Sequence, residues 1–143
     1  MPNSPKSIED AVHRRWKDLG YDALLPEERD YIVLWWLMVE VNNGSFDQYF
    51  FNNSGDAAMQ ALSALQLLGA EKTHAILQDA LAEMESIGGY TSDCEARRRL
   101  LAADDEVRFD GPTNRFYEYE EDFVGMALNR VASAYKQKGI EIA

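Results

Sequence analysis

Glu40 and Asp47 flank two amides, Asn42 and Asn43, and Gln48 follows directly. Two carboxylates this close in sequence are the residue types that general acid and base chemistry uses. Such a pair needs facing side chains in opposed environments, one dry enough to keep a proton and one wet enough to lose it. A seven-residue spacing across a helix end fixes neither. An enzyme or small-ligand binder centred on Asn42, Asn43, Asp47 and Gln48 is one reading of the stretch. The stronger reading is a structural corner. Asn and Asp side chains satisfy backbone groups where two helices end close together, and Phe46, Tyr49, Phe50 and Phe51 drop the corner into the core. On that reading Glu40, Asn42, Asn43, Gly44, Phe46, Asp47, Gln48, Tyr49, Phe50, Asn52, Gly55 and Asp56 form a structural motif, and no residue is assigned as catalytic.

The remaining chemistry-bearing residues are sparse. His13 and His74 lie in separate segments with no partner at ligand spacing, and neither a calcium-loop pattern nor paired Glu-x-x-His motifs occur, so no metal is expected. No phosphate loop, nucleophile elbow or dinucleotide fingerprint is present, and no cofactor is expected. The only cysteine, Cys94, sits between Asp93 and Glu95, carboxylates that disfavour a reactive thiolate. One cysteine forms no disulfide within the chain, as expected for a reducing compartment. The first ten residues have no apolar stretch of the secretory type, and the longest apolar run, Tyr31 to Val39, is half the length a bilayer span needs. A cytoplasmic protein without membrane association is the expectation.

The elements that position these residues follow from periodicity. At 143 residues and 46% apolar composition the chain fits one domain with its own core. Ser7 and Asp10 resemble a capping box, after which Ile8, Val12, Trp16 and Leu19 recur at helical spacing up to Gly20. Pro26, Glu27 and Glu28 open a second helix running to about Val41, apolar on every face, which is either central or half buried in a subunit contact. Asn43-Gly44 supplies a left-handed termination, Ser45 caps a short turn over "FDQYFF", and Asp56 caps a third helix that Gly69 closes. A fourth starts at Glu71 and breaks at "SIGGYTS", and Ser92 opens a fifth carrying Arg97 to Arg99. "DDEVRFDGP" reads as a loop, and a last helix runs from near Thr113 to Gly139. No sustained alternation of the strand type occurs. The fold expected is all-α, a single domain of six or seven helices spanning residues 1–143.

Charge is the most distinctive feature. The net charge is −11, which repels nucleic acid and anionic membrane and favours a neutral or basic partner. From Asp18 to Glu95 fourteen carboxylates stand against Arg29 and Lys72, and from Asp104 to Asp122 eight stand against Arg108 and Arg115. Acidic surfaces are ordinary solubility devices, and acids at the start of a helix complement its dipole. Carboxylates can also imitate phosphates. Duplex DNA shows one charge per ~1.7 Å, so a face of ~35 Å needs about twenty. One chain falls short of that density and a homodimer reaches it. The candidate partner-binding residues are Glu27, Glu28, Asp30, Asp79, Glu83, Glu85, Glu118, Glu120, Glu121 and Asp122.

The stretch "EVNNGSFDQYFFNNSGD", Glu40 to Asp56, together with a later "RFYEYEEDF", resembles a small bacterial family that includes an acidic DNA-mimic protein and is otherwise a domain of unknown function. The resemblance is strong from Leu24 to Leu81 and looser in the C-terminal helix, giving a family-like region of about 24–136. Ser45 stands where the family usually has a second glycine, a departure expected to leave the fold undisturbed. The resemblance implies an all-helical, commonly dimeric fold. It also implies a module that occupies the DNA-binding face of a transcriptional regulator and relieves repression. An immunity or antitoxin-like protein that covers a basic toxin uses the same charge logic and remains the alternative.

Overall fold

The computed structural model describes residues 5–104 and 109–142. Among them the chain forms seven α-helices and no strand: α1 (Pro5–Leu19), α2 (Pro26–Phe51), α3 (Ala58–Leu68), α4 (Glu71–Glu85), α5 (Cys94–Ala103), α6 (Asp110–Phe116) and α7 (Phe123–Lys138). Short 3-10 turns cover Tyr21–Ala23 and Asn53–Ala57. The all-α expectation holds. None of the described helices is long and apolar enough to cross a membrane.

The all-round apolar character of α2 follows from its place at the centre. It packs against α3, α5, α6, α7 and the 3-10 turn at Asn53–Ala57, while α4 reaches the body through α3 and α6. Tyr31, Ile32, Val33, Leu34 and Leu37 are buried in one contiguous core, while Trp35, Trp36, Met38 and Val39 are partly buried. The entry to α2 is set by Pro26, which holds Leu25 extended (φ −66°, ψ 153°) and suits the first helical turn.

Several boundaries differ from the expectation. The second helix is two segments joined by a kink, where the backbone leaves the helical region at Gly44 (φ −166°, ψ 30°) and Ser45 (φ 68°, ψ −178°). The first segment therefore runs about two residues past Val41, and the expected short turn over "FDQYFF" is a second segment opened by Ser45. The positive φ falls on Ser45, so Asn43-Gly44 is not a left-handed termination. Asp56 lies within the 3-10 turn and does not cap α3, whose N-cap Ala57 has no side-chain bond. The fifth helix is capped by Asp93, which accepts from the Glu95 amide, and not by Ser92. The expected last helix is two helices broken at residues 117–122. The expected loop "DDEVRFDGP" gives its final residues to α6, while Asp105 to Arg108 lie outside the described residues.

Candidate functional site

The corner at residues 40–56 is built by its own side chains. Glu40, buried near the end of the first segment of α2, accepts from Gln48 Nε2 and Asn52 Nδ2, both at 2.8 Å onto the same oxygen, and so ties the two segments together. Gly44 is required by contact, because a Cβ there would lie 2.1 Å from Gln48 Oε1 and 2.9 Å from Gln48 Cβ. Ser45 adopts a backbone conformation normally reserved for glycine, at a cost of about 1–3 kcal/mol. Its hydroxyl donates to Asp47 Oδ2 at 2.9 Å and accepts from the Asp47 amide at 3.2 Å, opening the second segment as a cap. Phe46, Tyr49 and Phe50 are fully buried, and Thr113 of α6 accepts from the Phe46 amide at 3.3 Å. Phe51, expected in the core with them, is instead exposed, with Arg98 over its ring.

Arg97 completes the corner from α5. Its guanidinium is inaccessible to solvent and donates to Phe50 O (2.8 Å), Asn52 O (2.9 Å), Thr91 O (3.0 Å) and Asp56 Oδ1 (2.7 Å). The planar fork thus satisfies carbonyls that the helix end leaves without partners. Gly55 allows this approach, since a Cβ would lie 2.6 Å from Tyr49 O and 3.1 Å from Arg97 Nη2. Tyr90 donates to Gly55 O at 2.6 Å, and burial pushes its hydroxyl up from the usual tyrosine range. Arg98 donates to Phe51 O at 2.8 Å and stacks over the Phe51 ring. The cluster Arg97 to Arg99 is therefore largely internal, with Arg99 exposed.

The corner motif assembles, but an acid–base pair does not. Asp47 is exposed and engaged with Ser45, whereas Glu40 faces Gln48 and Asn52. Asn42 and Asn43 are exposed; Asn42 accepts a short hydrogen bond from the Tyr119 hydroxyl. His13 bonds the Tyr31 hydroxyl at 2.9 Å inside an aromatic cluster with Trp16 and Trp35, and Cys94 is buried against Phe51 O. No group of three or more metal-ligating side chains occurs among the described residues.

The ten candidate partner-binding acids separate by environment. Glu28 is excluded from any contact surface, because its side chain is fully buried. It accepts a bidentate pair from Arg15 (2.7 and 3.0 Å), the Tyr135 hydroxyl (2.5 Å) and the Leu25 amide (2.9 Å). Burial pushes this carboxyl up, but the bonds from Arg15, Tyr135 and Leu25 outweigh it and hold Glu28 below its ordinary range. Asp30 reaches Arg130 of α7 at 3.5 Å, and Glu27 lines a shallow depression with Arg130, Ser133 and Gln137.

Six of the other seven lie along one side of α4 and the 117–122 segment, while Glu85, half a turn round the helix from Glu83, lines a depression with Met59, Leu81 and Tyr90. Asp79 pairs with Arg115, bringing α4 and α6 together, and Glu83 follows one turn later on the same helix. Glu120 lies 3.4 Å from Lys72. Glu121 caps α4, accepting from the amides of Lys72 (3.0 Å) and Thr73 (2.7 Å) and from the Thr73 hydroxyl; partial burial opposes its ionisation, and those bonds outweigh it and hold the carboxyl low. Asp122 caps α7 through the Gly125 amide at 3.0 Å. Glu83, Glu85 and Glu118 make no ion pair among the described residues. Against the six carboxylates of that side stand Lys72 and Arg115 among the described residues. The exposed rings of Tyr117 and Tyr119 sit among them, with hydroxyls tethered to Val41 O and Asn42. Their alternation with Glu118 and Glu120 was the available signal for this aromatic component, and sequence reasoning passed over it.

Neither a curated protein nor a solved structure matches this chain. A family model described as DMP19-like protein matches residues 22–136, which takes in the corner, the Arg97 hub and the acidic surface of α4 and the 117–122 segment. By that match, spanning well over half of its length, the chain belongs to the DMP19-like protein family.

Proposed function

We propose that this protein is a non-enzymatic, acidic binding module of the bacterial cytoplasm that engages a basic protein by imitating the phosphate backbone of DNA. The observation that carries the reading is the surface along one side of α4 and residues 117–122, where Asp79, Glu83, Glu118, Glu120, Glu121 and Asp122 stand against Lys72 and Arg115 among the described residues. Family membership is compatible with it. Glu121 and Asp122 are fixed as helix caps, so part of the charge is held in place before a partner arrives. Tyr117 and Tyr119 supply the rigid aromatic area that protein interfaces favour. The charge density of duplex DNA is reached by a homodimer, which is the assembly proposed.

The expected partner is a DNA-binding protein such as a transcriptional regulator. Affinity capture from nuclease-treated native lysate, eluted with rising salt, tests this. A DNA-binding protein released between ~50 and ~200 mM salt is the result expected of counterion-dominated contacts. Retention of a toxin instead would move the protein to the immunity class, and a partner indifferent to salt would contradict phosphate imitation.

A further inference from the structure

A cleft of about 780 Å³ opens on the other side of the corner, between α1, the Tyr21–Ala23 turn, α2 and the residues that follow the kink. Its size falls within the range of about 300–1,000 Å³ typical of small-molecule sites. Trp16, Trp36, Ile32 and Val33 line it, with Glu40 and Asn52 among its polar groups. The acids of α4 and residues 117–122 do not line it, nor do Asn42, Asn43, Asp47 and Gln48.

Glu40 is the unusual member. It is 9% exposed, and no Lys, Arg or His lies within ion-pair distance of it among the described residues. Both of its amide donors bind one oxygen, Oε2. Oε1 makes no hydrogen bond among the described residues, yet it is not a sealed unsatisfied atom, so its access is through the cleft that Glu40 lines. A nearly buried carboxylate without a counter-charge is costly unless a cation arrives. The other charges at the cleft are already spent. Asp56 is neutralised by Arg97 at 2.7 Å, and Arg98 is held on Phe51 O, Glu95 and the Phe51 ring.

The walls suit a cation as well as the floor does. Aromatic faces attract ammonium and guanidinium groups, most strongly those of Trp. Trp36 is braced edge-on by Trp35 at 4.9 Å, and Trp16 by His13 at 5.9 Å, so the walls are positioned in advance. A planar guanidinium or amidinium can lay its flat face on an indole while an edge N–H pairs with a carboxylate, and it is less strongly hydrated than a compact ammonium, which has no flat face to stack. We infer that this cleft is a binding site for a planar organic cation of the guanidinium or amidinium class, with Glu40 as its counter-ion and Trp16 and Trp36 as its walls.

Titration calorimetry on the full chain tests the site with three defined probes: benzamidine, its neutral isostere benzamide, and N-acetyl-arginine methylamide. Saturable binding of either cation is expected, with benzamide weaker by about tenfold or more, as the loss of a charged hydrogen bond implies. Glu40→Gln should weaken the cations by a similar factor, with a thermal melt recorded alongside. Trp36→Leu leaves the Glu40 bonds to Gln48 and Asn52 in place and should weaken them severalfold. Benzamidine binding alone marks a free small molecule as the occupant, whereas tighter binding of the arginine derivative marks an arginine side chain. Absence of binding up to about 10 mM of both cations, equal affinity for benzamide, or affinity unchanged in both variants overturns the assignment. The outcome is independent of partner capture by the acidic surface, since the two sets of residues do not overlap.

Discussion

Ser45 shows how one residue can hold a strained backbone and cap the segment that follows it. Its backbone lies in a region that glycine enters freely, and its hydroxyl offsets part of the strain by capping the Asp47 amide. Ser45→Gly should therefore be at least as stable as the parent, whereas Ser45→Ala keeps the strain, loses the cap and should cost about 1–2 kcal/mol in urea denaturation. Equal loss in both variants would contradict this account. Glu28 makes a second prediction. Its hydrogen bonds hold the folded carboxyl below the ordinary value of about 4.3, so its contribution is full above that pH and fades as pH falls through the lower folded value. Melting temperature should drop on acidification below about pH 4.3, and Glu28→Gln, already without the ionised form, should show a shallower acid slope alongside a lower starting stability. An unchanged slope would mean that other carboxyls, Glu121 among them, govern acid sensitivity.

At the scale of elements, α2 and α5 are locked together by one guanidinium. Arg97 makes four hydrogen bonds in a planar fork that a lysine cannot reproduce, so Arg97→Lys should lose about 2 kcal/mol or more, with the melting transition as readout. A variant as stable as the parent would show that the corner holds itself through Glu40 alone. The helices were legible because their apolar residues recur at helical spacing and because Gly20, Gly69 and Gly139 mark their ends. What was not legible depended on distant partners. Asn43-Gly44 reads locally as a left-handed stop, and the helix does break there, but the positive φ falls on Ser45, and Gln48 and Asn52 reach back to Glu40 to tie the second segment to the first. "DGP" reads as the end of a loop, yet Asp110 to Pro112 open α6, where Pro112, Thr113 and Phe116 are buried. Glu28 in a first helical turn reads as a surface acid complementing a dipole. Its burial is set by Arg15, thirteen residues away, and Tyr135, 107 residues away, a conjunction no local pattern encodes.

At the scale of the whole molecule the negative charge is sorted. Glu28 is turned inward, Glu27 and Asp30 lie beside Arg130, and the rest of the candidate acids collect along α4 and the segment that joins α6 to α7. Acidity spread as a solubility coat would act through net charge alone, wherever the acids sit. Acidity used for recognition must act through place. The most direct test compares baits on nuclease-treated native lysate: the parent, a variant with Glu83, Glu85, Glu118 and Glu120 changed to Gln, and a control of similar character with Glu27 and Asp30 changed to Asn or Gln. All four substituted glutamates are partly or fully exposed, so folding should survive, which a melt of each bait verifies. The account predicts a DNA-binding protein held by the parent and the control, displaced by added duplex DNA, and lost from the fourfold variant. The same proteins retained by all three baits, or none retained by a folded parent, would contradict recognition by this surface.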